Sequence, residues 1–290
     1  MAPVTLLVPA YQYPTVDGFW AGLEANSPPV KYLVANVDSG PGNSPNSDYV
    51  TAIAAAQAAG ITVLGYIYTG YGTIPVSACV TQAGQWASFY GVTSILFDTA
   101  ATSAALLPYY AQLCNIVHAT SGAVAVLNHG AIPAQGYASV ADVLIVYENA
   151  QSAWSAFTPA AWFALYPAAK FGVTVYDIPD QGTMTTILGQ AQGFGIGQAY
   201  LTDENLPNPY DTLPAWWAAE CSGALATFSS GGAVTATYKG SAVKGYLQYI
   251  DTATGEMLVA HPAATYTIRV AAGTGLANPP GDGTWTVAGS

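Results

Sequence analysis

The chain has 290 residues, 52% of them hydrophobic and only 7% charged, which is enough apolar material for a barrel of about 250 residues with a small appendage. Five Lys and Arg face sixteen Asp and Glu, a net charge of −11 that excludes nucleic acid as a partner, since phosphates need basic side chains. No apolar run reaches the roughly 18 residues of a membrane span, so membrane insertion is not expected.

The chain begins M-A-P-V-T-L-L-V-P-A-Y, with neither the basic region nor the full apolar segment of a signal peptide. Either a leader has been removed or the protein leaves its cell without one, as release by phage lysis would allow. A surface this poor in charge must be covered by neutral polar residues. That predicts an extracellular or virion-associated protein.

Strand-length apolar runs then alternate with Ala-rich segments of helical character. V-T-L-L-V-P-A-Y (4–11) ends on Tyr11, with Tyr13 just beyond. Y-L-V-A-N-V (32–37) leads to Asp38 and the tight turn S-G-P-G, and a helix is predicted over Tyr49–Ala59. T-V-L-G-Y-I-Y (62–68) ends among Tyr66, Tyr68 and Tyr71, before a helix over Val80–Tyr90. S-I-L-F-D (94–98) ends on Asp98, before a helix over Ala104–Thr120. A-V-A-V-L-N (123–128) ends at Asn128 and His129, with a short helix over Tyr137–Ala141. V-L-I-V-Y-E (143–148) ends on Glu148. F-G-V-T-V-Y-D (171–177) ends on Asp177, before a helix over Met184–Gln192. Q-A-Y-L-T-D-E (198–204) closes the series on Asp203 and Glu204.

Strands apolar on both faces are buried under helices, and eight such repeats predict a closed (β/α)8 TIM barrel of the α/β class over residues 1–223. Functional residues then belong where strands end, which is where the carboxylates fall. The G-F-G-I-G at 193–197 precedes a strand instead of following one, so it is no dinucleotide loop, and no cofactor is expected. Cys79, Cys114 and Cys221 are widely spaced and read as buried free thiols. His118, His129 and His261 lack metal-ligand spacing, so no metal is expected.

From residue 224 the helical periodicity disappears. T-F-S-S-G-G, A-V-T-A-T-Y, V-K-G-Y-L-Q-Y-I-D, E-M-L-V-A, T-Y-T-I-R-V and T-W-T-V read as short strands, with D-T-A-T-G-E as a hairpin turn. Residues 224–290 are expected to form a small all-β module for binding, homo-oligomerisation or attachment to a larger particle. Its Lys239, Lys244 and Arg269 balance Asp251, Glu256 and Asp282, leaving the barrel with two bases against thirteen acids.

Seven segments in register carry a resemblance: P-A-Y-Q-Y-P, N-V-D-S-G-P-G, G-Y-I-Y-T-G-Y-G, I-L-F-D, V-L-N-H-G, A-D-V-L-I-V-Y-E and Y-L-T-D-E-N-L-P-N-P-Y-D-T-L-P. Over residues 4–218 the chain resembles the spherulation-specific (spherulin 4-like) family, related to glycoside hydrolases that cleave galactosaminogalactan. The resemblance implies a (β/α)8 barrel hydrolysing a galactosamine-containing polysaccharide, with catalytic acids after strands four and six that match Asp98 and Glu148. Family members usually carry an Asp-Glu pair after strand four, whereas this chain has Asp98-Thr99.

Glycoside hydrolysis needs two acids, one to protonate the leaving oxygen and one to attack or to activate water. Glu148 is expected to be the acid/base, dried by Val146 and Tyr147, and Asp98 the nucleophile or stabiliser. Tyr11, Tyr13, Asp38, Tyr66, Tyr71, Asn128, His129, Asp177 and Asp203 are the candidate substrate-binding residues. Tyr68, Trp20 and Tyr147 are further candidates to stack on sugar rings. The acidic barrel predicts attraction for a cationic polymer. The alternative reading is a catalytically idle glycan-binding or structural virion component, such as a phage tail protein.

Overall fold

The computed structural model describes residues 3–16, 18–26 and 29–224, and four short strands further on. Eight parallel strands close into one barrel in chain order. They are β1 (Thr5–Ala10), β2 (Val30–Ala35), β3 (Thr62–Tyr68), β4 (Ser94–Asp98), β5 (Ala125–Asn128), β6 (Val143–Ala150), β7 (Phe171–Tyr176) and β8 (Gln198–Leu201). Each lies within, or overlaps, one of the eight apolar runs. The helices are α1 (Phe19–Glu24), α2 (Ser47–Ala58), α3 (Val76–Tyr90), α4 (Leu107–His118), α5 (Gln181–Gly193) and α6 (Trp217–Ala224). This is the (β/α)8 barrel that the repeat pattern predicts.

Two cores result from the two faces of the strands. Leu7, Tyr32, Val34, Leu64, Leu96, Val126, Val143 and Ile145 fill the barrel interior. The opposite faces, with Ile95, Phe97, Leu127, Leu144, Phe171 and Val173 among them, pack under the helices against residues such as Trp86 and Tyr110. Local chemistry sets the helix ends. The Asn46 side chain accepts from the Asp48 and Tyr49 amides to start α2, and Asp180 accepts from Thr183 to start α5. Gly91 ends α3 in the left-handed conformation, φ 66°.

Two expectations need correction. The predicted helix over Tyr137–Ala141 is a 3-10 turn, Gln135–Ser139, and α4 is preceded by a 3-10 turn over Ala104–Leu106. Between β6 and β7 there are only 3-10 turns, at Gln151–Ala156, Ala161–Leu165 and Ala168–Lys170. Pro159 and Pro167 separate them, and a proline removes the amide that a continuous helix would need. α1 and α6, which sequence periodicity did not single out, are short and bury Phe19, Trp20 and Leu23, and Trp217, Glu220 and Cys221.

By backbone proximity the chain divides into two compact units, Ala2–Phe228 and Ser229–Ser290. In the second, β9 (Ala236–Lys239) pairs antiparallel with β12 (Asp282–Trp285), and β10 (Gln248–Ile250) with β11 (Met257–Val259). The strands expected in T-F-S-S-G-G and T-Y-T-I-R-V, and the D-T-A-T-G-E turn, lie outside the described residues. Cys79, Cys114 and Cys221 are buried and free. Among the described residues, no helix is long and apolar enough to cross a membrane.

Candidate active site

Alternate side chains of a strand face the barrel interior, so the last inward residue of each strand lies at the C-terminal mouth. Leu96 and Val126 are interior residues, and two positions beyond them come Asp98 and Asn128. The same step leads from Val34 to Asn36 and from Leu64 to Tyr66 and Tyr68. β6 departs from this rule. Val143 and Ile145 face inward, so simple alternation would bring Tyr147 inward and turn Glu148 away. The pairing of β6 with β7 shifts register between Ile145 and Tyr147. Tyr147 therefore joins the outer layer, edge-on to Trp154 at 5.1 Å, and Glu148 turns into the mouth. The bulge re-aims the carboxylate. Val146 and Tyr147 consequently do not dry Glu148 as expected, because both face the outer core.

The two acids meet across one amide. Asn128 Nδ2 donates to Asp98 Oδ1 at 2.8 Å and to Glu148 Oε2 at 2.6 Å. Asn128 Oδ1 accepts from the Gly130 amide at 3.1 Å, which fixes which way the side chain faces. Asp98 Oδ2 accepts from Tyr66 at 2.9 Å and from the Thr99 hydroxyl at 2.9 Å. Glu148 Oε1 accepts from Tyr210 at 2.5 Å. Burial pushes the Glu148 carboxyl above its ordinary range and the nearby Asp98 pushes the same way, while the Asn128 and Tyr210 donors oppose them. The Tyr210 and Tyr66 hydroxyls are both held well above the ordinary tyrosine range, first by burial, and so remain protonated donors.

Beside Glu148 opens a cleft of about 480 Å³, lined by Tyr11, Asn36, Tyr176, Tyr210 and the segment from Leu206 to Pro209. Tyr11 stands edge-on to both Tyr66 (5.9 Å) and Tyr210 (5.6 Å), spanning the two sides of the mouth. Four non-glycine residues with positive φ are found among the described residues: Ser39, Tyr71, Thr99 and Asp177. All four lie in loops that follow strands, on the face that holds the carboxylates. Backbone strain of this kind gathers where surrounding structure imposes a working geometry.

The structure thus brings together Asp98, Glu148, Tyr11, Tyr66 and Asn128. Asn128 bridges the acids, with both amide protons engaged, where a direct sugar contact was expected. Tyr71 is 62% exposed, and its amide bonds the Thr99 carbonyl at 2.8 Å. Asp38 and Asp177 are exposed on their loops and do not line the cleft. Tyr13 lies over the start of α2, its hydroxyl bonded to Asp48 at 2.6 Å. Asp203 accepts from the Ala215 amide at 3.3 Å, tying down the loop before α6.

His129 is a correction. One position past the inward Asn128, it turns into the outer layer, where it is 7% exposed between Tyr110 and Tyr137. Its Nδ1 bonds the Ala101 carbonyl at 2.9 Å, and burial lowers its pKa to about 4. Trp20 and Tyr147 are likewise core residues, not sugar platforms. Missed in the sequence were Asn36, Tyr176 and Tyr210. Strand parity points to the first two, whereas the charged neighbours Asp38 and Asp177 drew attention away. Nothing local marks Tyr210.

Residues 5–224 match the spherulation-specific family 4. The chain belongs to that family. Spherulin-4 of Physarum polycephalum is 31% identical over 235 residues, covering 76% of this chain and 70% of that protein. Among solved structures, Aspergillus clavatus Sph3 in complex with GalNAc superimposes with a TM-score of 0.68 at 23% identity, over 78% of this chain and 98% of Sph3. That likeness shows the shared fold. Within the spherulation-specific family 4 chain described here, no group of three His, Cys, Asp or Glu side chains that could hold a metal is found among the described residues. The site brings together two carboxyl groups and their neutral hydrogen-bond donors.

Proposed function

We propose that the barrel is a glycoside hydrolase acting on an amino-sugar-containing polysaccharide, with Asp98 as nucleophile and Glu148 as acid/base. The supporting observation is the single Asn128 nitrogen that bonds both carboxylates. Two oxygens that share one donor stand no further apart than two hydrogen bonds end to end. That matches the roughly 5–5.5 Å of double displacement better than the roughly 6.5–9.5 Å that leaves room for a water.

The environments divide the labour. Glu148, desolvated and raised in pKa, suits the part of proton donor. Asp98 accepts from Asn128, Tyr66 and Thr99, three neutral donors that hold both of its oxygens in place for attack. In the first step Asp98 attacks the anomeric carbon while Glu148 protonates the departing glycosidic oxygen. In the second, Glu148 takes a proton from water, which attacks the same carbon and releases Asp98. The neighbouring tyrosines, with Leu206, Pro207 and Pro209, suit the faces of sugar rings.

The test is release of reducing ends from galactosaminogalactan and from a panel of bacterial envelope glycans. D98N and E148Q should each lower turnover by about 10³-fold or more with the fold intact, and the products should retain anomeric configuration. An unimpaired E148Q would overturn the assignment. Glycan binding without cleavage by the unaltered protein would favour an idle, glycan-binding barrel.

A further inference from the structure

We infer that Thr99 is a positioning residue that sets the orientation of the Asp98 carboxylate through its hydroxyl. The inference rests on the hydrolase reading for its kinetic consequence, but not for its geometry. Thr99 Oγ1 donates to Asp98 Oδ2 at 2.9 Å, the same oxygen that accepts from Tyr66, while Asn128 holds Oδ1. Both carboxylate oxygens are thereby fixed, and the third donor comes from the adjacent residue.

A hydroxyl can reach back to the preceding side chain here because of the Thr99 backbone. Its φ is 54°, in the left-handed region that a β-branched residue rarely enters. Such a conformation persists only where the surroundings over-determine it. Here they do so from both sides. The Thr99 carbonyl accepts from the Tyr71 amide at 2.8 Å and from the Thr69 hydroxyl at 2.9 Å. Thr69 is fully buried, its single hydroxyl proton is shared between the Thr99 carbonyl and the Asp98 carbonyl at 2.8 Å, and its oxygen lies 3.0 Å from the Tyr110 hydroxyl. Tyr110 in turn accepts from the Ala101 amide at 2.9 Å, and the Ala100 amide bonds the Asn128 carbonyl at 2.7 Å. Every residue from Asp98 to Ala101 is clamped to β3 or the turn that follows it, to β5, or to α4. Glycine or asparagine would take this conformation at less cost, and neither would bring a hydroxyl to Asp98. The strain is kept together with the hydroxyl it aims at the acid.

Three substitutions separate the hydroxyl from the backbone. T99V keeps shape and β-branching without the donor, T99S keeps the donor, and T99G removes both donor and strain. With any glycan the unaltered protein cleaves, T99V and T99G should lose about 10- to 100-fold in kcat, the range for a hydrogen bond to a charged group, with KM within about twofold. T99S should recover most of that loss. The melting temperature of T99G should be no lower than that of the unaltered protein. A T99V enzyme with full kcat, or a T99S enzyme as impaired as T99V, would overturn the inference and leave the hydrolase reading standing. Should no glycan be cleaved, the carboxyl ¹³C resonance of Asp98 in the ligand-free protein still decides the matter. It should move in T99V and stay in place in T99S, and an unmoved resonance in T99V would refute the positioning role.

Discussion

Of the two hydrogen-bond partners of Glu148, the Asn128 nitrogen can only donate, whereas the Tyr210 hydroxyl can donate or accept. When Glu148 carries its proton, that proton therefore belongs on Oε1, facing Tyr210 and the cleft, with the hydroxyl turned to accept it. When Glu148 is ionised, Tyr210 donates and lowers its pKa against burial. Y210F removes this opposition, so the pKa of Glu148 should rise and the alkaline limb of the pH–rate profile should move to higher pH. Turnover should also fall by about 10-fold or more, the cost of a lost bond to a charged group. Profiles of the two proteins between pH 4 and 9 check both outcomes. An alkaline limb that stays in place would detach it from Glu148. Asp98 and Glu148 were readable as rim acids, because each ends an apolar run in a chain with few charges, but it was the family resemblance that set them apart from Asp38, Asp177 and Asp203. Tyr210 was not, because it returns to Glu148 from 62 residues away through a loop with no periodicity.

Among the elements, β3 and α3 meet at a residue without a side chain, Gly65. A Cβ on Gly65 would stand 2.6 Å from the Trp86 ring, which packs flat there and donates Nε1 to the Tyr66 carbonyl at 2.9 Å. G65A forces the indole off the strand, so it should destabilise the barrel by about 1–3 kcal/mol and displace Tyr66 from Asp98. Denaturant unfolding measures the first effect and turnover the second. The seam between β8 and β1 is the barrel's shortest pairing, with register only at Thr5–Gln198 and Leu6–Ala199. Where it ends, the buried Glu220 of α6 accepts the Leu201 amide at 2.9 Å. Burial raises the Glu220 pKa well above 4.5, and Asp203 pushes it further. The folded protein therefore holds a proton that the unfolded chain releases above about pH 4.5. Stability should fall as pH rises from there, by up to about 1.4 kcal/mol per pH unit. E220Q keeps the acceptor without the charge and should flatten this dependence. Equal pH slopes for the two proteins in urea unfolding would refute it.

For the molecule as a whole, charge is the quantity that neighbouring contacts do not cancel. Of the two barrel bases, Lys170 donates to the Ala141 carbonyl and Lys31 lies over the Tyr32 ring, 4.9 Å from its centre. The ion-pair geometry found among the described residues is His118 with Asp142 at 2.8 Å, and Asp142 stands just before β6, at the end of the strand away from Glu148. The remaining carboxylates leave a negative field that a polymer with free amines would feel over a Debye length of about 8–10 Å. Deacetylated galactosamine oligomers should therefore bind more tightly than acetylated ones at low salt, and the difference should shrink as salt rises. Titration of both at 20 and 300 mM salt, conditions that change the screening length by roughly fourfold, checks this. Equal affinity under all four conditions would mean that the field does not select ligand.

The sequence by itself determined the eight strands, the approximate spans of α2 to α5, and the position of Asp98, because apolar periodicity and strand ends are properties of a few neighbouring residues. Parity counted along those same strands also points to Asn36 and Tyr176. Tertiary structure alone decided that Glu148, not Tyr147, faces the mouth, since a bulge is defined only against the partner strand β7. It also decided that Asn128 spans the two acids, that Tyr137 packs against the outward-facing His129, and that Tyr210 reaches Glu148. Each of these depends on where a distant segment arrives when the barrel closes. The prolines after β6 were visible in the chain, but their consequence, 3-10 turns in place of a helix, follows from how little backbone each interval leaves for hydrogen bonding.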